Sequence, residues 1–227
     1  MLNILFIVLF SVLTSVTDNI IYLNNKAFKQ TVKTYIMAKA VKDKDLNTLA
    51  RASARVLNYV DRKTGDFRGG TAVLLGGDLA LTARHVVEGS ELLIVQLDDG
   101  FPLPAELVKY VGDLDVAIIR VQGLTAQFYP EYVINPEYGT VGILHGHPEF
   151  TSKEMSKVLI IDVLPHYGPN GSLAKYLVFM CNGTRPGFSG AAVFNPQGQI
   201  MGIMSFYNPI FNVCLATSME EIVNGLN

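Results

Sequence analysis

The sequence predicts an all-β body behind a helical N-terminal extension, and three observations carry that expectation. First, short apolar runs follow one another from Phe67 onward. Second, turn signals such as Gly76-Gly77-Asp78 and Asp98-Asp99-Gly100 separate them, a spacing that suits a barrel or sandwich and not a βαβ sheet. Third, the texture changes near Phe67, because the residues before it carry apolar positions at helical spacing.

The extension comes first in the chain. Leu2 to Val16 is apolar apart from Asn3, Ser11, Thr14 and Ser15, and Ile20 to Leu23 prolong it toward bilayer length. Residues 1–23 are read as a membrane-targeting segment, either the apolar region of a secretory signal or a short anchor under the ~20 residues that span a bilayer. A buried N-terminal helix is the third reading. Lys26, Lys29, Lys33 and Lys39 follow the apolar stretch, an asymmetry that disfavours export of what comes after, so the chain is expected to be membrane-associated or exported with the side left open. Residues 24–66 are read as a helical spacer. Phe28, Val32 and Ile36 recur every four residues, and Leu46, Leu49, Ala50, Leu57 and Val60 share a face of a second helix that Asp45 caps.

The body, 67–227, divides into two halves at about 67–126 and 139–227. In the first, Thr71 to Leu75 and Leu79 to Thr82 flank a Gly-rich turn and read as a hairpin, followed by strands over 91–97, 105–111 and 116–121. Residues 127–138, with Pro130 and Pro136, form a connection. Strands resume over 140–144, 157–164, 176–181, 191–194, 199–205 and 213–217, and 219–226 closes as a short helix.

Composition limits the function. The chain has 227 residues, enough for two small fused barrels, is 49% hydrophobic and carries a net charge of −2, so nothing draws it toward nucleic acid. Cys181 and Cys214 are too few for a disulfide framework or a structural zinc site. They are read as two buried free thiols, with one bridge as the alternative, and neither stands in a nucleophile loop. His145 and His147 alternate in a way that invites a metal, but no third ligand is evident, and they are read as exposed loop residues.

Three segments carry chemistry. Gly187-Phe188-Ser189-Gly190 allows a sharp backbone turn at a serine, with the Gly187 and Ser189 N–H groups as donors for an oxyanion. His85 follows an apolar strand. Asp115 precedes the apolar Val116 to Ile119, and an acid in such a place calls for a buried partner, such as an imidazole N–H. Each motif alone is common. Together they run His85, Asp115, Ser189, one of the three known orders of a Ser–His–Asp triad, and Ala191 fails the Gly-x-Ser-x-Gly pattern of the α/β-hydrolases.

Over about 67–226 the chain resembles the trypsin-like (chymotrypsin-fold) serine peptidases, in particular the HtrA/DegP protease domain without its PDZ domain. Leu81-Thr82-Ala83-Arg84-His85-Val86-Val87 is similar to that family's LTxxHVV, the segment 115–119 to its D(I/L)A(L/V)(L/I), and Pro186-Gly187-Phe188-Ser189-Gly190 to its PGNSGG. Gly202 to Ser205 is similar to the strand that binds substrate backbone. The resemblance implies two six-stranded barrels, endopeptidase activity on protein or peptide substrates, and no metal or cofactor. It also implies that Gly183, Thr184, Arg185, Pro186, Ser205, Phe206 and Tyr207 line the pocket for the residue before the cut. Ala191 replaces the second glycine after the serine. Phe188 stands where digestive enzymes keep an acid that pairs with a new N-terminus, so that activation switch is not expected.

By the resemblance, no acid stands at the expected pocket floor, which argues against a preference for Lys or Arg, and Tyr207 stands where the family often keeps a small residue and would narrow the pocket, so a small or aliphatic residue before the cut is expected. Asn182-Gly183-Thr184 fits a glycosylation sequon but falls in the pocket. Two rival functions are a catalytically silent binding or scaffold protein of the same fold, and a membrane-tethered interaction protein acting through residues 1–66.

Overall fold

The computed structural model describes residues 49, 51–61, 64–97, 100–125, 131–134, 136–150, 152–167, 171, 173–181, 184–210 and 212–226, all within one compact unit, Val41–Asn227. The membrane-targeting reading of 1–23 and the first spacer helix lie outside these residues. Among the described residues no helix is long and apolar enough to cross a membrane.

Twelve strands close into two barrels of six. The first is built from β1 (Ser53–Asp61), β2 (Asp66–Gly76), β3 (Leu79–Thr82), β4 (Leu92–Gln96), β5 (Leu103–Tyr110) and β6 (Ala117–Val121), in the order β1-β2-β3-β6-β5-β4. The second is built from β7 (Val141–Gly146), β8 (Glu154–Tyr167), β9 (Leu173–Met180), β10 (Ala192–Phe194), β11 (Ile200–Asn208) and β12 (Val213–Ser218), in the order β10-β11-β12-β9-β8-β7. Among the described residues the body also carries the short helices α1 (Arg84–Val87) and α2 (Met219–Asn224) and a 3-10 turn at Pro148–Phe150. Ser218 caps α2 by accepting the Glu221 N–H. All strand pairs within the barrels are antiparallel, and each barrel closes on itself.

The first barrel begins earlier than the sequence suggests. Ser53–Asp61, read as part of a spacer helix, is a strand paired to both β2 and β4. Its inward set is Ala54, Val56 and Asn58, all fully buried, an alternation of period two. Leu57 and Val60, which also fit a helical period, are only partly buried. The spacer therefore does not extend to residue 66.

Each barrel has its own core. Val56, Ala72, Leu74, Val86, Leu93, Val95, Ile119 and Val121 fill the first. Leu144, Val158, Ile160, Phe179, Phe188, Val193 and Met201 fill the second. A third cluster joins the two, with Val73, Leu81, Leu114, Val116 and Ile118 from one side and Ile143, Tyr176, Phe194, Ile200, Ile203 and Ile222 from the other. At about 1.5–3 kcal/mol for each large apolar side chain fully buried, this seam fixes the barrels against each other.

Two further expectations change. Cys181 and Cys214 are not free thiols but form a disulfide with Cα atoms 5.9 Å apart. The β9–β12 register sets Phe179 against Cys214 and Met180 against Val213, so Cys181 falls one step further and diagonal to Cys214. Closing 33 residues, the bridge is expected to stabilise the fold by about 3–4 kcal/mol. The Cys181→Ser/Cys214→Ser double variant should lose that amount in a urea titration, and an unchanged midpoint would contradict it. His145 and His147 are not exposed: they are 6% and 3% accessible. The β7 strand lies between β8 and β10 and is buried along its whole length, which covers the histidine on it and the one just past its end.

Candidate active site

The site forms where the two barrels meet. His85 lies on α1, a single turn entered from β3 through the extended Ala83. The turn is pinned to the first barrel by the buried Val86 and Val87. It is also held by Asn58 of β1, whose side-chain amide donates to the Val86 carbonyl at 2.9 Å and the Glu88 carbonyl at 3.4 Å. A helix end leaves its carbonyls unpaired, and a fully buried Asn58 satisfies two of them. Beside His85, the Arg84 guanidinium lies over the Tyr110 ring at 4.3 Å and pairs with Glu88 at 3.3 Å.

Asp115 is delivered by a tight loop between β5 and β6. Val111 N–H donates to the Val116 carbonyl (3.0 Å) and Leu114 N–H to the Val111 carbonyl (3.1 Å), with Gly112 in the left-handed region at φ +52°. The carboxylate is 2% exposed and both its oxygens face His85. Oδ2 lies 2.8 Å from Nδ1 of the ring, and Oδ1 accepts the His85 backbone N–H at 3.0 Å. The bond from the backbone N–H fixes the carboxylate against the turn, and an ionised Oδ2, which can only accept, favours the tautomer with the proton on Nδ1 and a lone pair on Nε2.

Ser189 comes from the second barrel, on the loop between β9 and β10. Four successive carbonyls of this loop are tied down. Pro186 O accepts from Glu149 N–H at 2.7 Å, and Gly187 O from the Thr71 hydroxyl at 2.9 Å. Phe188 O accepts from Ala191 N–H at 2.9 Å, and Ser189 O from Thr71 N–H at 2.8 Å. In a planar trans peptide the N–H points opposite to the carbonyl of the same unit. Tying Pro186 O and Phe188 O therefore aims the N–H groups of Gly187 and Ser189 away from the protein framework that holds them. Neither of these two amides donates to a backbone carbonyl among the described residues.

The loop admits no larger residues where it turns. Gly187 has φ +103°, and a Cβ there would lie 2.3 Å from the His147 carbonyl. Gly190 has φ +84°, and a Cβ would lie 2.1 Å from the Thr71 carbonyl and 2.8 Å from Ala83 N. Ala191 needs no such freedom, since its φ is not positive, and it is fully buried. The same close packing sets Ser189 beside the histidine turn: a Cβ on Gly70 would meet both the Ser189 carbonyl at 2.6 Å and a Val86 methyl at 2.7 Å. Phe188 is 1% exposed within the second core, so it anchors the loop through packing.

The residues expected to line the pocket are dispersed in role. Gly183 lies outside the described residues. Thr184 is 3% exposed. Arg185 is turned to Glu154 of β8 and hydrogen-bonds its carboxylate. Pro186 serves through its carbonyl. Ser205 is buried, with its hydroxyl 3.1 Å from that of Thr217, Phe206 is exposed, and Tyr207 packs partly against the second core. Behind Asp115, Tyr176 of β9 stands opposite Thr217 of β12. Burial pushes its phenol up to about 12, the nearby Thr217 hydroxyl works against that rise, and the charges of Asp115 and Glu221 add to it. It stays neutral wherever the protein works near neutral pH.

Three supporting residues escape a reading of the sequence: Asn58, Thr71 and Glu149. Asn58 sits in a segment read as helix. Thr71 was visible only as a strand residue. Glu149 adopts φ +49°, unusual for a residue with a side chain, and its amide is the one that holds Pro186 O.

Residues 70–203 match the family model of the trypsin-like peptidase domain. No curated protein matches the sequence significantly. Among solved structures, the chain is similar to the protease Rv3671c from M. tuberculosis in its active form, with a TM-score of 0.71, 19% identity, and coverage of 80% of this chain and 82% of that one. A serine-to-alanine mutant of Rv3671c from M. tuberculosis H37Rv, in an inactive form, gives a TM-score of 0.70 at 19% identity, covering 82% and 90%. The HtrA-type protease AlgW, with a tripeptide, gives 0.68 at 20% identity, covering 79% of this chain and 60% of that one. At these identities the structural likeness bears on the fold, whereas the match over 70–203 bears on descent, and by it the chain belongs to the trypsin-like peptidase domain family.

Proposed function

We propose that the protein is a serine endopeptidase in which Ser189 is the nucleophile, His85 the general base and then acid, and Asp115 the group that orients and charges the pair. The observation that supports this most is the buried Asp115 carboxylate engaging His85 through both ring and backbone, at 2.8 and 3.0 Å, next to a serine loop whose carbonyls from Pro186 to Ser189 are tied.

The chemistry is acyl transfer. His85 Nε2 takes the Ser189 Oγ proton as that oxygen bonds to the scissile carbonyl carbon, and the carbonyl electron pair moves onto its oxygen. The Gly187 and Ser189 N–H groups receive that oxyanion, each contributing about 10²–10³ in rate. Collapse breaks the C–N bond, and the imidazolium gives its proton to the leaving amine. Water then attacks the acyl-enzyme, His85 takes its proton, and the carboxylic acid leaves as Oγ regains a hydrogen.

Labelling with a fluorophosphonate probe, with the modified peptide mapped by mass spectrometry, tests this reading. One adduct on Ser189, blocked by prior denaturation, is the expected result. Folded protein that takes no label, or takes it elsewhere, would instead support the silent binding-protein reading.

A further inference from the structure

Thr71 belongs to the first barrel, yet its bonds go to the loop of the second. It is fully buried on β2 and makes four hydrogen bonds. Its N–H donates to Ser189 O (2.8 Å) and its hydroxyl to Gly187 O (2.9 Å). The hydroxyl oxygen also accepts His147 N–H (2.9 Å), and its carbonyl accepts the Thr82 hydroxyl (2.7 Å). A hydroxyl has one proton to give, and here it is spent on a single backbone carbonyl.

That carbonyl matters because of where it is. Gly187, at φ +103°, has a glycine's backbone freedom, and nothing covalent restrains its rotation. The peptide before it carries the Gly187 N–H and is held by Glu149. The peptide after it carries the Gly187 carbonyl, and turning that plane would swing the next unit, which bears the Ser189 N–H. The middle plane of the three is held at its carbonyl by the Thr71 hydroxyl at 2.9 Å and, at its other end, by the longer bond from the Phe188 N–H to the Arg185 carbonyl at 3.4 Å.

Resting on the serine peptidase reading, we propose that the Thr71 hydroxyl is a positioning residue that makes the Gly187 and Ser189 amides converge on the oxyanion, and that it does so from the opposite barrel. Its contribution belongs to the transition state, where charge reaches the carbonyl oxygen, and not to the binding of substrate.

Thr71→Val, Thr71→Ala and Thr71→Ser separate the hydroxyl from its shape. Val keeps the volume, Ala relieves any crowding if Val does not fold, and Ser keeps the hydroxyl. The measurements are kcat and KM on a fluorogenic peptide, the affinity of a peptide aldehyde, and the fluorophosphonate labelling rate. Thr71→Val and Thr71→Ala are expected to lose about 10–100-fold in kcat and in aldehyde affinity, with KM within about threefold, somewhat less than removal of a donor outright. Thr71→Ser should recover to within about threefold of wild type. The inference is overturned if the hydroxyl-free variants keep kcat, if their loss is all in KM, or if Thr71→Ser falls as far as they do. Folded wild-type protein that neither labels nor cleaves would overturn the peptidase reading and this inference together, whereas active wild type with an unaffected Thr71→Val overturns this inference alone.

Discussion

Replacing Ser189 with alanine is expected to lower kcat by about 10⁶ while leaving the fold unchanged. The two halves of that result have separate causes. The loop is held by backbone groups and by the buried Phe188, not by the serine side chain: Ser189 O is bound by Thr71, Gly190 N–H by Met204 O at 2.7 Å, and Phe188 O by Ala191. Thermal unfolding should therefore move by no more than about 0.5 kcal/mol, the range of substitutions away from packed features. The amides that face the oxyanion remain, so a residual acceleration of about 10³–10⁴ over water is left. Peptide cleavage assayed beside a melting curve checks both. Retained turnover in a folded Ser189→Ala protein would remove the serine from the mechanism.

Asp115→Asn is expected to cost about 10⁴ in kcat, through the tautomer of His85 and not through charge alone. Asparagine keeps the shape but has one acceptor atom in place of two. The His85 backbone N–H, 3.0 Å from Oδ1, can only donate and so claims that acceptor. The amide NH₂ is then left facing the ring nitrogen that now sits 2.8 Å from Oδ2. Two donors cannot share that contact, so the ring proton moves to Nε2, and the nitrogen that should receive the Ser189 proton is already occupied. KM should change little, and the ring tautomer is directly readable by ¹⁵N NMR. A kcat within tenfold of wild type, or an unchanged tautomer, would mean that Asp115 is not the orienting group.

What the sequence disclosed and what it concealed divide along physical lines. The hairpin around Gly76-Gly77-Asp78 was legible because turn chemistry and flanking apolar runs are local. The order His85, Asp115, Ser189 was legible because strand-end residues with special chemistry stand out against β-rich surroundings. The β1 strand was hidden because its inward set includes Ala54 and Asn58, a weak apolar signal, while Leu57 and Val60 fit a helical period equally well. The disulfide needs the β9–β12 register, which no local pattern contains. The burial of His145 and His147 depends on β7 having neighbours on both sides. Thr71 was unreadable for the same reason, since its hydroxyl finds partners 76 and 116 residues away.

That last separation also governs when the site can exist. His85, Asp115 and Thr71 are all translated before the second barrel begins, and the loop they act with ends at Gly190. Contacts this distant in sequence carry a larger loop-closure cost than local ones and cannot form until the chain of the second barrel exists. On the proposed reading, a ribosome making this protein thus releases His85 and Asp115 well before Ser189, and the half-made chain would have no assembled machinery with which to cut itself or its neighbours.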